Sequence, residues 1–148
     1  MGKAVMGAWG IGTFENDDAV EWLDELQASV DSSVLQTTLE ETENGEEYLE
    51  APEGIHILCA GEIIAGLQGQ SAPDLPDEAR DWMQEHKLLD VSSLIPIATR
   101  KIDQVLDNGS ELRELWQENE ADYRTWRENV LALKARLSST EPKVQGSN

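Results

Sequence analysis

The segment Ile55-His56-Ile57-Leu58-Cys59-Ala60-Gly61-Glu62-Ile63-Ile64-Ala65-Gly66-Leu67 is apolar on nearly every side. Its length suits a helix better than a strand, and a helix with no polar face has to be covered by others. This run therefore predicts a helical bundle with residues 55–67 at its centre. Gly61 and Gly66 weaken the helix locally and mark places where a neighbour packs closely. Glu62 is the sole acid in the run. A carboxylate in that setting must be hydrogen-bonded, paired or protonated. Its candidate partners are Arg100, Lys101 and Arg113, or the amide and indole N–H groups of residues 7–14.

Amphipathic patterns flank the central run on both sides. Asp18 and Glu21 fit a capping box, with Asn16 and Asp17 as competing caps, ahead of Ala19, Trp22, Leu23, Leu26 and Val30 at helical spacing. A short helix is predicted around residues 34–39, then a turn at Asn44-Gly45, with Tyr48 and Leu49 held on the core. After a loop at 68–76, Asp77 is the expected cap of a helix carrying Ala79, Trp82 and Met83. Ser92 or Ser93 is the expected cap of the next, with Leu94, Ile97, Ala98, Ile102, Val105 and Leu106 on one face and Pro96 in its first turn. Asn108-Gly109 ends that helix, and Ser110 caps its successor.

The cleanest pattern is the last: Leu112, Trp116, Asn119, Tyr123, Trp126, Val130, Leu133 and Leu137 alternate spacings of four and three. One unbroken helix over 111–137 would measure roughly 40 Å, long for a compact domain of this size, so a break near Asn119 and Glu120 is an open alternative. No stretch alternates in the manner of a strand. The expectation is an all-α, compact single-domain bundle of five or six helices over residues 1–138, with the glycine- and tryptophan-rich N-terminal segment packed on it. Residues 139–148 read as a frayed tail.

Charge decides which functions are compatible with this chain. It has 148 residues and a net charge of −19, and residues 1–60 hold fourteen acids against Lys3 alone. Such a surface repels nucleic-acid phosphates and anionic membranes. No run spans a bilayer and no basic segment precedes an apolar one at the N-terminus, so a cytoplasmic location is expected. The glycine segment at 7–14 lacks the Gly-Lys-Ser/Thr of a phosphate loop, and no Gly-x-Ser-x-Gly occurs. A single cysteine and two histidines exclude an intramolecular disulfide and an all-Cys/His zinc site. His56 and Cys59 share a side of the central helix with Glu62 and read as core residues, with the thiol pKa raised by apolar surroundings. Asp17, Asp18 and Glu21 are weak candidates for a cation, being also what a helix N-terminus collects. No catalytic residue and no cofactor are expected.

The first sixty residues are then an acidic face for a basic protein partner, contacted through Glu21, Asp24, Glu25, Glu40, Glu41, Glu43, Glu46 and Glu47. The function that fits is a non-catalytic binding module, immunity- or antitoxin-like. The alternatives are a carboxylate-metal enzyme and a self-associating helical protein. A monomer or weak homodimer is expected. Trp9, Asp18, Trp22, Glu62 and Trp116 are the expected structural anchors.

Residues 6–19, Met-Gly-Ala-Trp-Gly-Ile-Gly-Thr-Phe-Glu-Asn-Asp-Asp-Ala, with Trp22 soon after, resemble the opening M-G-A-W-G-x-G-x-F-D-N-D-x-A-x-x-W of a mostly bacterial family grouped as domain of unknown function 4259. Ser110-Glu111-Leu112-Arg113-Glu114-Leu115-Trp116 resembles that family's late S-E-L-x-E-L-W motif, and Ala60-Gly61-Glu62 its central helix. Glu15 stands where the family usually has Asp, and five residues precede Met6, which is an alternative start. The resemblance implies a helical fold and transfers no activity. Its three motifs suggest one physical unit: the glycine loop, Glu62 and residues 111–116 are expected to meet, with Glu62 accepting hydrogen bonds from the loop.

Overall fold

The computed structural model describes residues 12–40, 48–73 and 75–138. Among them are seven α-helices: α1 (Asp17–Gln27), α2 (Ser33–Glu40), α3 (Ala51–Leu67), α4 (Asp77–Glu85), α5 (Ile95–Leu106), α6 (Glu111–Trp116) and α7 (Glu120–Ser138), with a 3-10 turn Ser92–Leu94 leading into α5. The fold is all-α, with one or two helices more than the periodicity suggests. The extra elements come from the division of the last pattern into α6 and α7. Asn119 lies on that division, exposed, and its Oδ1 accepts from the Asp122 amide at 3.1 Å. It starts α7 instead of filling a seam.

Helix α3 is the axis of the bundle and contacts each of the other six helices. It begins four residues before the apolar run, because Pro52 fits the first turn, where its missing N–H costs nothing. Two tertiary contacts fasten that start. Leu49 N–H donates to Gly109 O at 2.7 Å and Glu111 N–H donates to Leu49 O at 2.9 Å, an isolated parallel bridge. The Glu111 carboxylate also accepts from Ala51 N–H at 2.8 Å. An N–H at the start of α3 is thus satisfied by the start of α6. The glycines of α3 do mark close approach: a Cβ on Gly61 would lie 3.1 Å from Leu133 Cδ2 and 3.2 Å from Ile102 Cδ1, and one on Gly66 would overlap the Met83 sulfur.

Several local expectations need correction. Asn16, not Asp18, caps α1: its Oδ1 accepts from Ala19 N–H at 2.8 Å, which moves the start two residues earlier and puts Asp17 and Asp18 in the first turn. Helix α1 stops at Gln27, so Val30 leaves the apolar face and is 80% exposed. Asp77 does not cap α4; it is the first helical residue, and its carboxylate pairs with Arg80 at 3.1 Å. Neither Ser92 nor Ser93 caps α5. Asp90 Oδ1 accepts from the Ser92 amide and hydroxyl at 3.1 and 2.7 Å, and the 3-10 turn carries the chain into the helix. Leu49 is buried as expected, but Tyr48 stands at the surface. Ser110 does cap α6, accepting from Arg113 N–H at 3.3 Å. The turn at 44–45 and the tail at 139–148 lie outside the described residues.

Candidate functional site

Among the described residues, two of the cavities contain residues singled out by sequence. The first, about 450 Å³, lies between α1, α2 and the first half of α3 and is lined by Trp22, Glu25, Ser33, Val34, Thr37, Thr38, Glu53 and His56. Local sequence positions its walls. The apolar stripe of α1 buries Ala19, Trp22, Leu23 and Leu26, which turns Asp17, Glu21, Asp24 and Glu25 outward. The buried Trp22 indole donates to Thr38 Oγ1 at 2.8 Å and ties α1 to α2. The Trp82 indole donates to Ser29 O at 3.0 Å and secures the turn after α1, with His86 stacked on it at 4.2 Å. In that turn, hydrogen bonds from Ser33 hold the Asp31 carboxyl below its usual range. Glu53 Oε1 accepts from Glu50 N–H at 3.0 Å and so helps start α3 while bordering the cavity.

The second cavity, about 520 Å³, is lined by Gly12, Thr13, Phe14, Glu15, Glu62, Ala72, Pro73, Leu75, Pro76, Asn129, Ala132 and Arg136. Glu62 is 5% exposed. Its partner is Arg136 of α7, with Nη1 3.0 Å from Oε1 and Nη2 3.2 Å from Oε2, a two-pronged pair. Arg136 Nη1 also donates to Gln70 O at 3.1 Å, fastening the loop after α3. None of Arg100, Lys101 and Arg113 takes this role. Residues 12–15 do share the cavity with Glu62, and among the described residues the carboxylate accepts from Arg136 and not from residues 12–14; residues 7–11 of the loop lie outside the described residues. Residues 111–116 pack at the other end of α3, where Leu112 lies against Gly54. Eight residues of helix, roughly 12 Å, separate Gly54 from Glu62. The described parts of the family motifs thus meet α3 at two separate places.

The remaining candidates fall into place around these features. Glu21, Asp24 and Glu25 are exposed together on α1, and Glu40 is exposed at the end of α2, where it accepts from Gln36 Nε2 at 3.1 Å. Glu41, Glu43, Glu46, Glu47 and Trp9 lie outside the described residues. Asp18 is half-buried, and Trp116 is buried at the end of α6. Among the described residues, no three His, Cys, Asp or Glu side chains are arranged to hold a metal ion, and Asp17, Asp18 and Glu21 form no such group. Burial, with the nearby Glu62 and Asp18 charges, pushes the Cys59 thiol well above its ordinary value, so it is not primed as a nucleophile. A hydrogen bond to Glu114 at 2.9 Å pushes the Tyr48 phenol up to about 12.

Sequence reasoning missed the first cavity and Arg136. The only local sign of Arg136 is its place beside the seam residue Leu137; nothing nearby names a partner 74 residues away. No helix of the described residues is long and apolar enough to cross a membrane. The family model described as Domain of unknown function (DUF4259) matches residues 7–129. No curated protein and no solved structure matches the chain.

Proposed function

This chain belongs to the family of Domain of unknown function (DUF4259), a membership that brings no activity with it, and we propose that it is a non-catalytic acidic module that binds a basic protein partner, as an immunity protein or antitoxin does. The observation that carries this reading is the outer face of α1. Glu21, Asp24 and Glu25 are exposed there, and no Lys or Arg occurs anywhere from residue 4 to residue 79. Asp24 and Glu25 occupy the last turn of α1, where no basic residue stands. That end of a helix carries partial negative charge and favours cations, so these acids work against the stability of their own helix. Charge kept where the fold disfavours it supports a role outside the fold. An acidic face of this kind accelerates encounter with a basic surface and is weakened by salt.

The test immobilises three proteins: the wild type, a Glu21→Lys/Asp24→Lys/Glu25→Lys variant, and a Glu118→Lys/Glu120→Lys/Asp122→Lys variant. Lysate of the source organism is passed over each at low ionic strength. A basic protein retained by the wild type and the second variant, lost from the first and released by salt, is the expected result. Failure to retain any basic protein, or greater loss from the second variant, overturns the proposal.

A further inference from the structure

The cavity between α1, α2 and α3 lies beside the acidic face and differs from it in kind: it is concave and has hydroxyls on one wall and carboxylates on two. Glu25 comes from α1, Glu53 and His56 from α3, and Ser33, Thr37 and Thr38 from α2, with Val34 and Trp22 as the apolar part of the lining. Its volume of about 450 Å³ is within the range of sites that accept small groups, about 300–1,000 Å³. Neither Glu25 nor Glu53 has a cationic partner among the described residues. The Glu53 carboxylate spends one oxygen on Glu50 N–H, which leaves acceptor capacity in hand. Two carboxylates from facing helices, with no base supplied by the chain between residues 4 and 79, leave negative potential inside a partly enclosed space.

We infer that this cavity is the specificity pocket of the acidic face and takes one arginine side chain of the basic partner. The inference rests on the proposed function and deepens it. A guanidinium is planar, carries five donors in a fixed fork and is weakly hydrated, so it can engage carboxylates and hydroxyls together. An ammonium offers a compact, strongly hydrated charge and makes less of acceptors spread over several helices. The flat outer face of α1 steers the partner, and the pocket sets its register. This division explains how a surface of simple charge can discriminate among basic proteins.

The experiment titrates the full chain with N-acetyl-arginine amide, in which the guanidinium is the only charge, and follows the amide and indole NMR signals. N-acetyl-lysine amide, N-acetyl-citrulline amide and agmatine are the comparison probes. The expected result is saturable shifts at Trp22, Ser33, Thr37, Thr38 and His56 with the arginine probe, weaker binding of the lysine probe, and none with citrulline, which keeps the shape and lacks the charge. Glu25→Gln and Glu53→Gln each weaken the arginine probe about two- to fivefold, as expected for partly exposed charge pairs. Gln at 53 keeps an acceptor for Glu50 N–H, so that variant retains the helix start.

Shifts scattered over the α1 surface, or unchanged affinity in both Gln variants, overturn the pocket. Agmatine binding more tightly than the blocked arginine overturns the side-chain source in favour of a free amine. Saturable pocket binding without capture of any basic protein refutes the proposed function and leaves the guanidinium site standing. Capture of a basic protein without pocket binding does the reverse.

Discussion

Helices α1 and α7 use the same means to join the bundle and opposite means to dispose of their charge. Each buries one apolar stripe, Ala19, Trp22, Leu23 and Leu26 on α1, and Trp126, Val130, Leu133 and Leu137 on α7. Each packs on α3. On α7 four of the seven charged residues are paired within the chain. Arg124 pairs with Glu120 at 3.6 Å, Lys134 with Asp103 at 2.7 Å and Arg136 with Glu62 at 3.0 Å. On α1 five acids stand without a base in the helix or near it in sequence. Apolar burial therefore explains why both helices are present. The fold also accounts for part of the charge on α7, whereas the outward charge of α1 is what the proposed function assigns to a partner.

The sharpest way to break this contrast is at Arg136. Replacing it with Met leaves Glu62 buried without a counter-ion, and removing one partner of a buried pair costs about 3–5 kcal/mol. Urea denaturation should show a loss toward the lower end of that range, since Arg136 retains some contact with water. The double variant Glu62→Leu/Arg136→Met should recover much of it, because no charge is then stranded. A single variant as stable as the wild type would remove the pair from the account of α7. The next effect is steric. Gly61→Ala places a methyl against Leu133 and Ile102, and overpacking of this kind costs about 1–3 kcal/mol. Thermal unfolding monitored by circular dichroism checks it, and a neutral result would mean that α7 and α5 yield without strain.

A smaller effect with the opposite sign separates the two helices. Asp24→Lys and Glu25→Lys put cations at the C-terminal end of α1, and each should stabilise the protein by about 0.3–1 kcal/mol at low salt. Lys134→Glu, on α7, should destabilise by up to about 1 kcal/mol by setting a like charge beside Asp103. If both helices lost stability on charge reversal, the α1 acids would belong to the fold after all. The smallest effect is at the edge of α6. The Tyr48 phenol rises from 10.0 to about 12 through its hydrogen bond to Glu114. The folded chain thus holds this proton more tightly than the unfolded one, so the bond contributes fully below about pH 10 and is lost as pH rises through about 12. Phenolate absorbance in a Tyr123→Phe background should place the Tyr48 titration there, and Tyr48→Phe should remove that part of the alkaline decline in stability.

Much of this molecule is present in the sequence because much of it is local. A helix apolar on all sides must lie inside, so the central place of α3 follows from residues 55–67 alone. Caps such as Ser110 act within three residues, and the acidity of α1 is a matter of counting. The corrections at Asn16, Asp77 and Ser92 are also local: neighbouring polar residues compete for a cap, and the backbone decides among them by a residue or two. Asn119 is ambiguous in sequence for a related reason, since it fits both a seam and a helix start.

The candidate site divides along the same line. Glu62 is legible as a residue in need of a partner, because burying a carboxylate carries that demand wherever it occurs. The identity of the partner is not, because Arg136 reaches Glu62 only through the way α7 crosses α3, and no pattern in the intervening 74 residues encodes that crossing. Likewise Glu25 and Glu53 read as two ordinary surface acids until α1 and α3 place them around one cavity. Composition and periodicity determine which side chains are buried, since each segment meets that requirement by itself. Which buried or half-buried groups face each other depends on interhelical packing, and that is a property of the assembled chain.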